Sequence, residues 1–176
     1  MKNIKPYKFI IVALSLLYCP LQLDAYSVLT HEAIIDVTWD KAIKPLLLKK
    51  YPGSTEDQLK DAHAYAYGGA ITPDIGYYPF GAKFFTYLVH YVRTGDFINA
   101  MLDESKDINE YAFSLGFLSH YYADIYGHSI GVNHCVPILY PADEKKYGAV
   151  VTYADDPVSH IRMEFGFDII QTVRSN

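Results

Sequence analysis

The stretch Gly116-Phe117-Leu118-Ser119-His120-Tyr121-Tyr122-Ala123-Asp124-Ile125-Tyr126-Gly127-His128 sets His120, Asp124 and His128 four residues apart. In an α-helix, at about 100° per residue, the three side chains fall within roughly 80° of one another and rise one turn at a time. Burying two imidazoles and a carboxylate on one stripe is costly unless something positive compensates them, and a divalent cation is the usual solution. A lone histidine on such a face is more often a packed core residue. Three in register point to a metal-ligand ladder. Tyr111, Leu115 and Leu118 continue the helix back to Asp107, which starts it.

Working outward toward the amino terminus, Thr94-Gly95-Asp96 breaks and recaps the chain before a short helix from Phe97 to Asp103. His90 lies in a helical segment, Lys83 to Val92, led by the aromatic cluster Tyr77, Tyr78, Phe80, Phe84 and Phe85. Clusters of this kind are usually core, though one beside a metal site can form the wall of a substrate pocket. Thr72-Pro73-Asp74-Ile75-Gly76 is a tight loop around one carboxylate. A helix from Glu56 to about Tyr67, capped after Pro52-Gly53-Ser54-Thr55 and stopped by Gly68-Gly69, carries His63, which is expected to be structural. Before it, Ile34, Ile35, Val37, Trp39, Ala42 and Ile43 mark another helix with Thr30 as its N-cap and His31 in its first turn.

Working toward the carboxy terminus, the chain is expected to loosen after Gly131. His134 and Cys135 have no spacing partner, and Asp143 to Lys146 form a solvated charged patch. Asp156-Pro157 starts a last helix, on which His160 and Glu164 lie four apart.

The chain of 176 residues, 51% of them hydrophobic, suffices for one globular domain with a substantial core. Residues 1–25 have the form of a secretory signal: Lys2, Lys5 and Lys8, an apolar run from Phe9 to Leu17, and Ala25 before the cut. Cleavage would leave Tyr26 with a free amine, able to act as a nitrogen ligand near neutrality alongside its own carbonyl oxygen. The protein would then be secreted or periplasmic. The full chain's 15 basic residues against 20 acidic give a formal charge of −5, which loss of Lys2, Lys5, Lys8 and Asp24 would take to −7, poorly suited to holding nucleic acid by surface charge. Of two cysteines, Cys19 lies in the signal, so Cys135 has no internal partner and any zinc site must be built from nitrogen and oxygen.

In order, the candidates are Tyr26 with His31, Asp74, His90, the ladder His120/Asp124/His128, then His160/Glu164. This order resembles the zinc-dependent phospholipase C family and, more distantly, the single-strand-specific zinc nucleases. It is also similar to the amino-terminal domain of glycosylphosphatidylinositol-specific phospholipase D, which shares the three-residue gap between Asp124 and His128. The resemblance covers about residues 26–168. It implies an all-helical single domain enclosing up to three zinc ions. Asp74, His90, His120 and Asp124 would hold one; Tyr26 and His31 a second, with Asp124 bridging; His128, His160 and Glu164 the third. The residue at the new terminus is Tyr26 where the family usually has tryptophan, and the chain stops twelve residues past Glu164, so part of a longer member's carboxy-terminal region could be missing.

The activity implied is hydrolysis of a phospholipid at a membrane surface by metal-activated water, giving diacylglycerol and a phosphorylated head group, with Asp74 and Asp124 as catalytic carboxylates. Tyr77, Tyr78, Phe84, Phe85 and Tyr121 are candidates for lining the lipid side. Phospholipase D-type cleavage of a glycolipid anchor, a nuclease on the same metals, and a non-catalytic zinc- or lipid-binding protein are the rivals. The enzyme is expected to act as a monomer without a stable protein partner.

Overall fold

A computed structural model describes residues 28–174 and is helical throughout, with no strand among the described residues. The signal segment and Tyr26 lie outside the described residues. In chain order the elements are α1 (Val28–Thr38), a π-helical turn (Trp39–Ile43), α2 (Lys44–Lys50), α3 (Glu56–Ile71), a 3-10 turn (Thr72–Tyr77), α4 (Lys83–Tyr91), α5 (Thr94–Glu104), α6 (Ile108–Tyr126), a second π-helical turn (Gly127–Val132), α7 (Asn133–Leu139), α8 (Pro141–Tyr147) and α9 (Pro157–Arg174).

The two helices that carry the fold begin at caps visible in the sequence. Thr55 forms a capping box with Gln58: its Oγ1 accepts from Gln58 N at 3.2 Å, and its own N donates to Gln58 Oε1 at 2.9 Å. Asp107 Oδ1 accepts from Asn109 N and Glu110 N, both at 2.9 Å, and so opens α6. Between them, α3 and α6 pack on a face of Leu59, Ala62, Ala66 and Ala70 against Ala112 and Leu115. Burying a leucine of this kind contributes about 1.5–3 kcal/mol.

Gly68-Gly69 does not end α3, as the sequence suggested; the helix runs on to Ile71. The glycine serves contact rather than termination. A Cβ at Gly69 would lie 2.0 Å from Phe113 O, and one at Gly116 would lie 2.0 Å from Ala66 O, so the two backbones meet where neither has a side chain. That approach brings α6 and its ladder against the end of α3 and the turn bearing Asp74.

Three other expectations are corrected. Thr30 is already inside α1, and the cap comes from α9: Asp168 accepts from Leu29 N (3.3 Å), Thr30 N (2.9 Å) and Thr30 Oγ1 (2.9 Å). The apolar stripe is narrower than the sequence suggested: Ile35 and Ile43 are buried, while Val37, two residues on from Ile35 and so roughly on the opposite face, and Ala42 are exposed. Beyond Gly131 the chain stays helical through α7 and α8, because Val132 and Val136 pack with Val151 and Met163 in a separate small core. The last helix begins where its sequence indicates, with Asp156 Oδ1 accepting from Val158 N and Ser159 N at 3.0 Å.

Candidate metal centre

Five of the seven histidines and three carboxylates meet between α1, α4, α6 and α9. The described residues form three overlapping groups whose potential ligand atoms lie within 4.8 Å of one another: His31, His120 and Asp124; Asp74, His90 and His120; His128, His160 and Glu164. Every described residue singled out as a ligand from the sequence falls in one of them, while exposed His134 and half-buried Cys135 fall in none.

Asp124 stands at the centre and faces two ways. Its Oδ2 lies 3.4 Å from His90 Nε2 and 3.4 Å from His120 Nε2, while its Oδ1 lies 3.6 Å from His31 Nε2 and 3.6 Å from His128 Nε2. Asp74, delivered by the 3-10 turn, places Oδ1 3.3 Å from His90 Nε2 and 3.7 Å from His120 Nε2. On the far side, Glu164 Oε1 is 2.9 Å from His160 Nδ1 and 3.5 Å from His128 Nδ1.

The hydrogen bonds behind the rings fix what the front can be. His90 Nδ1 donates to Thr86 O at 2.8 Å and His120 Nδ1 donates to Ala70 O at 2.7 Å. A carbonyl oxygen only accepts, so both Nδ1 atoms carry hydrogen, and each neutral ring has its lone pair on Nε2. Those two Nε2 atoms face each other at 3.2 Å, with carboxylates of Asp74 and Asp124 on either side. Lone pairs so opposed repel unless a proton or a cation lies among them. A backbone carbonyl that takes Nδ1–H and leaves Nε2 turned inward is a usual outer support of a metal-binding histidine.

The protonation of the cluster follows from the same geometry. Burial opposes charge on His90, but the carboxylates of Asp124 and Asp74 outweigh it and raise this imidazole to about 10; His120 and His128 are raised by the same balance. His31 goes the other way, to about 3, because burial and the nearby His120 both disfavour its charged form. Burial would lift Asp124, yet His120, His128 and His90 around it hold its carboxyl well below the usual range. Asp74 and Glu164 remain raised by burial, their histidine contacts notwithstanding.

The donor set suits zinc. It offers imidazole nitrogen and carboxylate oxygen without thiolate, the combination found in catalytic rather than structural zinc sites. Buried His31 Nδ1, Asp74 Oδ1 and Glu164 Oε2 make no hydrogen bond. Such atoms are costly to bury without a partner.

The cluster divides two cavities. The larger, about 530 Å³, exposes His90, His120, Asp124 and His128 along a wall of Val89, Tyr91, Phe117, Tyr121 and Tyr153. That size suits a small organic ligand or one end of a larger one. The smaller, about 280 Å³, lies against Thr30, His31, Asp124, His128 and Glu164. Of the aromatics singled out from the sequence as lining residues, only Tyr121 borders the large cavity. Tyr77 is buried, Phe85 packs in the core with Val89, Ile98 and Phe117, and Phe84 points outward.

Two supporting residues escaped the sequence. Asn133 Oδ1 meets His160 Nε2 at 2.8 Å, from a segment that was expected to be an irregular connection. Asp168 ties α9 to the first turn of α1, one helical turn beyond Glu164; the run His160, Glu164, Asp168 at steps of four was the available signal.

Comparison with curated proteins and with solved structures returned no match. The sequence does match the family described as zinc dependent phospholipase C, over residues 30–175. The match takes in α1 to α9 and every described member of the three histidine–carboxylate groups, and on that coverage the chain belongs to the zinc-dependent phospholipase C family.

Proposed function

We propose that the protein is a secreted zinc-dependent phosphodiesterase that cuts phospholipids to diacylglycerol and a phosphorylated head group. The observation that carries this reading is the opposition of His90 Nε2 and His120 Nε2 at 3.2 Å between Asp74 and Asp124, on the wall of the large cavity. One zinc would be held by Asp74, His90, His120 and Asp124, and another by His128, His160 and Glu164. His31 and Asp124, joined by the amine and carbonyl of Tyr26, would hold a third. Zinc bound in this way supplies a Lewis acid for a phosphoryl oxygen and lowers the pKa of water at neutral pH.

The chain's own groups have separable tasks. Asp124, one oxygen toward each side, keeps the His90/His120 and His31/His128 pairs in a common register. Asp74 orients the attacking water and accepts its proton as the water oxygen bonds to phosphorus. The bond from phosphorus to the glycerol oxygen breaks in the same displacement, and the proton passes to the departing diacylglycerol. Val89, Tyr91, Phe117, Tyr121 and Tyr153 offer an apolar flank to the lipid side and exclude water from the charges.

The apolar wall supports a lipid over a polynucleotide, as does the acidic balance of the chain. The test is product analysis on zinc-loaded protein beginning at Tyr26, offered phosphatidylcholine, a glycosylphosphatidylinositol and single-stranded DNA in parallel. Release of phosphocholine and diacylglycerol is expected. Phosphatidic acid from the anchor lipid would move the reaction to phospholipase D chemistry, nucleotides would make it a nuclease, and zinc without any product would make it a binding protein.

A further inference from the structure

The outer face of α4 is apolar and turned to solvent. Phe84, Tyr87, Leu88 and Tyr91 recur at the three- and four-residue spacing of a single helix face and are all exposed, whereas Thr86 and Val89 on the opposite face are buried. Ile75 and Phe80, on the turn before the helix, are exposed beside them. Scattered apolar side chains on a surface need no explanation, but a contiguous patch does.

These rings are presented rigidly. Phe80 is fully exposed and holds φ at 69°, a left-handed value uncommon for a bulky residue. What holds it is the next residue: a Cβ at Gly81 would lie 2.2 Å from Ile75 O, so the chain there is packed directly on the 3-10 turn. Thr86 then pins α4 to that turn, its Oγ1 donating to Pro73 O and accepting from Gly76 N, both at 2.8 Å. The unit that shows the rings outward is thus the unit that sets Asp74 and His90 inward.

Charge and position narrow the occupant. Between Asp74 and Asp96 the sequence has no acidic residue, in a chain with 20 of them, and it carries Lys83 and Arg93. Arg93 is paired with the exposed Asp96 at 2.7 Å, and α4 itself carries Lys83 and no carboxylate to repel phosphates. Tyr91 is 67% exposed and also lines the large cavity, so the patch runs into the cavity mouth. A protein seated on this face would cover that entrance, whereas a bilayer seated there would feed it.

We infer that the outer face of α4 with the Phe80 turn is the surface by which the protein seats on a phospholipid bilayer, its rings entering the boundary between head groups and acyl chains. Binding of this kind scales with the apolar area that enters the interface, and aromatic rings favour that depth. The inference rests on the phospholipid reading above for its substrate, but not for its test.

The test is sedimentation of the zinc-loaded protein with phosphatidylcholine vesicles, for the native sequence and for two double variants. Phe80→Ser with Phe84→Ser strips the patch; Ile138→Ser with Leu139→Ser removes two comparably exposed side chains on α7. Hydrolysis is followed in parallel on the vesicles and on a short-chain phosphatidylcholine kept monomeric. The first variant is expected to bind vesicles about tenfold more weakly or worse and to lose vesicle hydrolysis in proportion, with monomer hydrolysis and zinc content unchanged. The second is expected to match the native protein.

Undiminished vesicle binding by the phenylalanine variant would overturn the inference, as would an equal loss in the α7 variant. Loss of a dimer, with vesicle binding intact, would give the face to a second copy and overturn it too. Absence of hydrolysis on both lipids would remove the phospholipase reading while the sedimentation result still decides the docking surface.

Discussion

Among the described residues, the histidine–carboxylate group at His63 and the cluster at Asp124 differ in how many imidazoles share the carboxylate. His63 on α3 lies between the rings of Trp39 (4.1 Å) and Tyr67 (4.6 Å), with Nε2 3.3 Å from Asp36 Oδ1. The Tyr67 hydroxyl also donates to Asp36, and burial together with that bond pushes the phenol up to about 12. Asp36 remains largely in water. Here a single imidazole, whose buried Nε2 makes no hydrogen bond, faces one largely solvated carboxylate with no second histidine beside it. In the Asp124 cluster, two imidazoles backed by carbonyls turn Nε2 toward each other at 3.2 Å in a buried space flanked by two carboxylates. The contrast separates a histidine beside an aspartate from a candidate metal site, in which two imidazoles with committed back atoms share buried carboxylates.

The sharpest way to break this distinction is at Asp124. Asp124→Asn removes the charge shared by four histidines, and catalytic turnover should fall by more than about a hundredfold, beyond the range usual for outer supporting residues. Zinc content, read from the same preparation, should fall with it. Full zinc and full turnover would mean that the carboxylate bridges nothing.

A smaller effect is expected one layer out. Asn133→Ala leaves His160 Nε2 without its partner, and zinc affinity at the group formed with His128 and Glu164 should fall about 10–100-fold. A zinc competition titration would resolve this as one weakened site beside sites of native strength. Uniform weakening would contradict a local role.

The two kinds of histidine within the cluster make opposite contributions to pH dependence. His90, raised to about 10, holds a proton near neutrality in the metal-free protein; His120 and His128 are shifted in the same direction by the carboxylates around them, so zinc binding would compete with protons at this cluster. Apparent zinc affinity should therefore fall as pH falls from about 8 to 6, with proton release on binding measurable by calorimetry in buffers of different ionisation enthalpy. His31, lowered to about 3, is already neutral across this range and adds no released proton.

The smallest functional effect belongs to the other cluster. His63→Gln should leave zinc content and turnover near native while lowering stability by about 1 kcal/mol through the lost stacking on Trp39 and Tyr67. Thermal unfolding alongside zinc analysis would check it; loss of zinc would erase the comparison.

Much of this was legible in the sequence because the ladder and the final His160/Glu164 pair lie on regular helices, where spacing translates directly into direction. His128 held its place even though the chain widens into a π-helical turn at Gly127. Less legible was anything that depended on a partner far along the chain. Gly69 looks like a helix stop until Phe113 O is seen against it, and Thr30 looks like a cap until Asp168 arrives from α9. The aromatic run from Tyr77 to Phe85 could not be sorted locally, because its direction is set by Thr86 and Gly81 packing on the 3-10 turn.

The central claim is that the opposed nitrogens of His90 and His120 face one another across a cation. Its most direct test is zinc content per chain, compared between the native protein and the variant His90→Ala, which removes one lone pair from the 3.2 Å pair. The account predicts about two to three zinc ions for the native protein and one fewer, or none, for the variant. A native protein that takes up no zinc, or a variant that keeps every ion, would return these histidines to the core.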